Sequence, residues 1–102
     1  MQRLTMIVHA ALQTELADCL RSISELKVFI FTHVEEHSSQ LENDELLSAR
    51  DKVVGYVPQV RVDILLNTGT ADEVLEKIRQ GNCPFRGKGL YWISDVVEVD
   101  SL

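Results

Sequence analysis

The stretch Arg86-Gly87-Lys88-Gly89 carries the residue types best suited to holding a small anion. Glycines let backbone amides approach a ligand closely, and Arg86 and Lys88 add positive charge. It is not a Walker A motif, because Gly89 stands where that motif places Ser or Thr after its lysine. Two interpretations remain open: a plain β-turn leading into a strand, which we favour, or a ligand site that also includes Gly55.

Two histidines four positions apart, His33 and His37, suggest a second kind of site. Imidazole nitrogens together with a carboxylate such as that of Glu35 can bind divalent metals. In an extended strand both rings point to one face, but they lie roughly 13 Å apart, which is too far for one chelate unless the chain turns. We favour two solvated histidines beside a loop and keep a metal site as the alternative.

Patterns typical of catalysis do not occur in the sequence. No nucleophile motif with a Ser or Cys accompanies His9. Glu35 and Glu36 are adjacent, so their carboxylates would project to opposite faces of a strand and could not act as a pair. We therefore expect a protein that is not an enzyme.

A polar segment, residues 37–54, separates two strand-like runs and is too long for a tight hairpin turn. Acidic residues outnumber basic ones there, and like charges keep such a segment extended and solvated. Loops of this length are uncommon unless they are functional or disordered. We expect residues 38–52 to be poorly ordered in the free protein and the segment to dock onto a protein partner; the alternative is a mobile loop without a role. The docking residues would be Leu41, Glu42, Asp44, Glu45, Leu46, Leu47 and Arg50.

The elements that must position these residues follow from the spacing of apolar side chains. Strands are predicted at 4–10, 27–36, 53–67 and 90–99, and helices at 14–24 and 70–81. Apolar residues recur every three or four positions in the first helix, whereas Val60, Val62 and Ile64 alternate with other residues as in a strand. Pro58 places its end of the third strand at an edge or a bulge, because proline has no amide hydrogen to donate.

The element order β-α-β-β-α-β predicts an α+β, ferredoxin-like fold. Its four-stranded antiparallel sheet would have the strand order 4-1-3-2, with both helices on one face. The other face would carry Ile7, Leu65, Ile93 and one phenylalanine of the pair Phe29 and Phe31. An exposed apolar face and an exposed apolar edge strand are both liabilities for a monomer. We therefore expect a closed homo-oligomer.

Composition limits the remaining classes of function. The chain has 102 residues, which suits one domain, and 45% hydrophobic with 25% charged residues is ordinary for a soluble protein. A net charge of −6 argues against a nucleic-acid partner. No apolar run approaches a membrane span, and the N-terminal run is too short and polar for a signal peptide. Because two cysteines make no disulfide framework, we expect both to be reduced, in a cytoplasmic protein.

Several motifs resemble those of the PII-like signalling superfamily, and the likeness covers nearly the whole chain. The segment IRQGNCPFRGKGLYWISDV is similar to the loop and final strand of nitrogen-regulatory PII proteins, with Arg79, Gly81, Gly87, Lys88 and Tyr91 in matching places. The segments SARDKVVG and LYWISDVVEV are similar to counterparts in a small bacterial family of PII-like proteins. CutA divalent-cation tolerance proteins share the fold. The resemblance implies a homotrimer whose sheets pack inward.

The resemblance also implies roles for the two loops. Residues 37–54 would correspond to the PII T-loop, which docks onto protein partners such as a transporter or an enzyme. An adenine nucleotide would bind between subunits, against residues 86–89 and Gly55. Two features depart from the pattern: the spacing after Gly81 is one residue longer, and no tyrosine precedes Tyr56 in the segment, so PII-type covalent control is not implied. We predict a PII-like regulatory protein; the alternative is a CutA-like metal-binding protein.

Overall fold

The computed structural model describes residues 1–26, 28–37, 55–80 and 89–102. Its elements are β1 (Gln2–His9), a 3-10 turn (Ala10–Leu12), α1 (Gln13–Arg21), β2 (Phe29–Glu36), β3 (Val57–Leu66), α2 (Ala71–Gln80) and β4 (Gly89–Asp95). All neighbouring strands are antiparallel, and the order across the sheet is β2-β3-β1-β4. The predicted ferredoxin-like fold and strand order are therefore confirmed.

The core lies between the two helices and one face of the sheet. Both helices bury an apolar stripe, and α2 does so with Val74, Leu75 and Ile78, as predicted. The sheet contributes alternate residues of its two central strands to the same cluster: Leu4, Met6 and Val8 of β1, and Val60, Val62, Ile64 and Leu66 of β3. Burying one such side chain fully stabilises the fold by roughly 1.5–3 kcal/mol, so this layer is the main source of stability.

Several element boundaries differ from those predicted. Helix α1 ends at Arg21 because Ser22 turns back on it: the Ser22 hydroxyl donates to the carbonyl of Cys19 at 2.6 Å. Strand β4 ends at Asp95, four residues before the predicted Val99, since β1 begins at Gln2 and offers only the carbonyl of Met1 to the amide of Val96.

Pro58 lies beyond the end of the pairing between β3 and β1. Strand β3 pairs with β2 from Val57 to Ile64, but its pairing with β1 stops at Gln59. Pro58 therefore has a neighbouring strand on one side only, which confirms the predicted edge position. The register with β2 is continuous, so no bulge forms.

The sheet face that the helices leave uncovered is here called the open face. Cross-strand register assigns to it Arg3, Thr5 and Ile7 of β1, Ile30 of β2, Arg61, Asp63 and Leu65 of β3, and Leu90, Trp92 and Ser94 of β4. Ile7 and Leu65 lie there as predicted. Exposure is high at the rim, where Leu90 is 63% and Ile30 is 59% exposed.

Two predictions for the open face were wrong: that one phenylalanine of the pair Phe29 and Phe31 lies there, and that Ile93 does. Phe29 and Phe31 both face the helices, where they pack edge to face at 5.8 Å against the core, and Ile30 between them points outward. Ile93 pairs with the fully buried Leu4, so it too belongs to the helix side. Side chains two positions apart in a strand share a face. Because Phe29, Phe31 and Ile93 belong to runs of consecutive apolar residues, residue type did not show which set faces the helices.

No helix in the described ranges is long and apolar enough to cross a bilayer.

Candidate functional site

One end of the sheet receives both segments predicted to be functional. Strands β1 and β2 finish there at His9 and Glu36, and strands β3 and β4 start there at Val57 and Gly89. The register places these four residues together, since His9 pairs with Gln59, Glu36 with Val57 and Gly89 with Val8. This end of the sheet is called the loop end, and residues 38–54 and 81–88 connect to it.

Contacts at the loop end hold together the two strands that flank the polar segment. Gln59 Nε2 donates to Glu36 Oε2 at 2.6 Å across the β2–β3 pair. His37 Nε2 lies 3.1 Å from Glu35 Oε1, and its ring lies 5.7 Å from that of Tyr56. His37, the first residue of the segment, is therefore in contact with Tyr56, two positions after its last residue, so the chain leaves the sheet and returns to it at one point.

The two described glycines among the predicted ligand residues have conformational reasons to be glycine. Gly55 has φ of 81°, a left-handed conformation that a side chain would strain. A Cβ on Gly89 would lie 3.0 Å from the carbonyl oxygen of Ile7, so β4 can approach β1 this closely only without one. Both glycines lie at the loop end. The other predicted ligand residues, Arg86, Gly87 and Lys88, lie outside the described residues.

All seven predicted docking residues, from Leu41 to Arg50, also lie outside the described residues. Of the proposed metal ligands, His33 and His37 are both exposed, and His37 contacts Glu35 and Tyr56. Within the described ranges, no three His, Cys, Asp or Glu side chains lie close enough together to hold a metal ion.

A polar cluster occupies the middle of the open face, with Asp63 at its centre. The hydroxyl of Thr5 donates to Asp63 Oδ1 at 2.8 Å. Arg61 donates to the same carboxylate through Nε at 3.0 Å and through NH2 at 3.2 Å. Arg3 lies further off, with Nε 4.0 Å from Oδ1. Two arginines thus share one carboxylate, which leaves a local excess of positive charge in a chain whose net charge is −6.

Partial burial and hydrogen bonding act in opposite directions on Asp63. Burial raises the pKa of its carboxyl, but hydrogen bonds from Arg61 and Thr5 and the charges of Arg61 and Arg3 lower it more. The pKa of Asp63 therefore lies below its ordinary value of 3.8, and the group is ionised at neutral pH.

Aromatic side chains of β4 contact arginines on both faces of the sheet. On the open face, the guanidinium of Arg61 lies 5.7 Å from the centre of the Trp92 ring. On the helix side, Arg79 lies 5.5 Å from the Tyr91 ring and donates to its hydroxyl at 3.4 Å. These cation–π contacts tie the edge strand to β3 and to α2.

One feature of the sequence points to the polar cluster, although sequence reasoning missed it. Arg61 and Asp63 alternate with valine and isoleucine in a central strand, where charged residues are uncommon unless they are paired. The third member, Thr5, could not be found in this way, because it joins the cluster only through the β1–β3 register that pairs it with Asp63.

Comparison with known families covers the full length of the chain. Residues 1–102 match the family DUF3240, whose description is "Protein of unknown function". The chain belongs to the DUF3240 family. No curated protein matches its sequence significantly.

Solved structures show how widely the fold of this DUF3240 protein is shared. A DUF3240 family protein from Shewanella baltica superimposes with a TM-score of 0.70 at 15% identity, covering 99% of this chain and 94% of the other. A candidate PII-like signaling protein from Thermus thermophilus superimposes with a TM-score of 0.61 at 12% identity, covering 93% of this chain and 85% of the other. The chain therefore has the fold of a PII-like protein.

Proposed function

We propose that this DUF3240 protein is a non-enzymatic, cytoplasmic regulatory protein of PII-like type, which docks onto a protein partner through residues 37–54. The observation that carries the proposal is the contact between His37 and Tyr56 beside the end of the β2–β3 pairing. It supports an insertion that begins and ends at one point of a rigid sheet, which is how folds commonly present binding segments. The fold of the Thermus thermophilus protein supports a signalling role.

The composition of the segment supports protein docking over other uses. It has leucines that a partner could bury and acids that a basic partner surface could pair with. Together these residue types suit a contact that combines charge pairing with the burial of apolar side chains.

Self-association is the second part of the proposal, and a homotrimer is the state we propose. Supporting it are the exposed apolar rim of the open face and the free edges of β2 and β4 at the two sides of the sheet. A closed ring of copies would cover apolar surface that a monomer leaves in water.

Ligand control is the third part. Gly55 and Gly89 both lie at the loop end, so a small anion bound there would contact the base of the docking segment. An adenine nucleotide is the ligand that the PII-like fold suggests. Calorimetry with ATP, ADP and AMP, comparing wild type with Lys88→Ala, tests this part. Affinity that is unchanged in Lys88→Ala would remove residues 86–89 from the site.

The docking role is tested by replacing residues 38–52 with a Gly–Ser sequence of equal length. We expect the replaced chain to keep its fold and its oligomeric mass, because the core cluster and the four-stranded sheet are built from residues outside this range, and to lose the protein that co-purifies with wild type. A matched variant that neutralises Glu73 and Glu76 on α2 removes two acids elsewhere and should keep that partner. Retention of the same partner by the replaced chain would contradict docking through this segment.

A further inference from the structure

Segment 96–102, which follows β4, holds apolar side chains out in the solvent. Val97 is 104% exposed, and Val99 is exposed as well. The segment is joined to the sheet at its start, where the amide of Val96 donates to the carbonyl of Met1 at 3.0 Å. Apolar side chains in solvent gain free energy when a second surface covers them, so this segment is suited to docking.

The segment leaves the sheet beside a part of the open face with matching chemistry. Asp95 pairs with Gln2, and Ser94 pairs with Arg3, so the segment starts next to Arg3. Arg3 Nε and Ser94 Oγ are both buried, and neither has a hydrogen-bond partner among the described residues. The Arg3 side chain as a whole is 43% exposed, and a guanidinium fits a carboxylate, which accepts several hydrogen bonds at once.

Residues 96–102 and the open face complement each other in charge and in apolar surface. Residues 96–102 contain Glu98 and Asp100 and no basic residue. The polar cluster of the open face has two arginines to one carboxylate, and exposed Leu65 pairs with Arg3 across the strands. An acidic segment with valines therefore meets a face with arginines and apolar neighbours.

We propose that residues 96–102 of one copy dock onto the open face of a second copy. Val97 and Val99 would cover Leu65 and Trp92, and a carboxylate of the segment would pair with Arg3. Seven extended residues span at most about 23 Å, whereas four strands lie within about 15 Å, so the segment is long enough to cross the face. Each copy offers one segment and one face, and head-to-tail contacts of this kind form a ring when the rotation between successive copies closes.

This inference rests on the self-association proposed above. The inference goes beyond self-association by assigning residues 96–102 to the interface. The acceptor is a second copy and not the same chain, because the segment leaves its own open face uncovered: Val97 is in solvent, and Leu65 and Trp92 remain exposed.

Trp92 allows a direct test, since it is the single tryptophan of the chain and lies on the open face. The concentration dependence of its emission, with light scattering on the same samples, gives the Kd of self-association. A chain ending at Asp95 should raise that Kd at least about tenfold, because the valines no longer bury their surface. Val97→Ser with Val99→Ser should act in the same direction in the full-length chain.

The carboxylates are tested by Glu98→Gln with Asp100→Asn. The control is Glu15→Gln with Glu76→Gln, which changes the net charge equally on the helices. We expect weaker association in the first pair and wild-type association in the control.

Truncated and serine variants that associate like wild type would overturn this inference while self-association stands. A full-length chain that stays monomeric would overturn both. A blue shift of Trp92 emission at all concentrations in full-length protein relative to the truncated chain would place the segment on its own face and also overturn the inference.

Discussion

Replacing Asp63 with Asn removes the negative charge that holds together the polar cluster of the open face. Arg61 would keep one acceptor in place of two, and Thr5 would donate to a neutral amide oxygen. The side chains of Asp63 and Arg61 are 25% and 33% exposed, so their pairing is partly screened and contributes about 1 kcal/mol. Weakening the buried Thr5 bond adds about 0.5–1 kcal/mol. We expect the free energy of unfolding to fall by about 1.5–2 kcal/mol at pH 7.

The effect of this substitution should depend on pH. The pKa of Asp63 is lowered in the folded protein, so its contribution is fully present above the ordinary value of 3.8 and is lost as the pH falls through the folded-state value. The difference between wild type and Asp63→Asn should therefore be constant from neutral pH down to about 5 and should shrink below about 4.

Urea unfolding followed by circular dichroism measures this difference. All variants must be compared at one protein concentration, since assembly adds to apparent stability. Asp18→Asn is the matched control: Asp18 pairs with Arg21 at 3.1 Å on the surface of α1, and its loss should cost no more than about 0.5 kcal/mol. An Asp63→Asn protein no less stable than Asp18→Asn would refute the reasoning.

Four further substitutions probe the two faces of the sheet, the core and the surface. Ile7→Glu should weaken the oligomer, because covering the open face would take the added carboxylate out of water, at a cost that pairing with the neighbouring Arg61 offsets only in part. Ile93→Glu on the helix side should change the mass less, and equal masses by light scattering would contradict the face assignment. Leu20→Ala should lower the free energy of unfolding by about 2–5 kcal/mol, since Leu20 is fully buried, and a loss below about 1 kcal/mol would place it outside the core. Lys77→Met should return the pKa of Glu25, which its hydrogen bond to Lys77 lowers, towards the ordinary value of 4.5. That lowered pKa means that the Glu25 contribution to stability is present above 4.5 and is lost as pH falls, and an unmoved carboxyl titration by NMR would contradict the assignment.

The sequence was most informative where polar and apolar residues alternate cleanly. Val60, Val62 and Ile64 determined the buried face of β3, and the rules for connecting strands then determined the sheet order. Strand β2 begins in a continuous apolar run and β4 carries another, so neither run marks which side chains face the helices. That is why the predictions for the Phe29 and Phe31 pair and for Ile93 were wrong.

Much of the candidate site depends on contacts that no local pattern encodes. The alternation of Arg61 and Asp63 was visible in the sequence, but the donor Thr5 lies in another strand. The contact of His37 with Tyr56 likewise requires the β2–β3 register. Loop positions such as Gly55 were selected by residue type alone, and their placement at one end of the sheet became clear only from the pairing of all four strands.

Both proposals that involve a second copy depend on the open face being covered in solution. Light scattering of the purified full-length protein at micromolar concentration measures this most directly. We expect a mass about three times that of the 11.5 kDa chain, unchanged on moderate dilution. A single species of 11.5 kDa would contradict it.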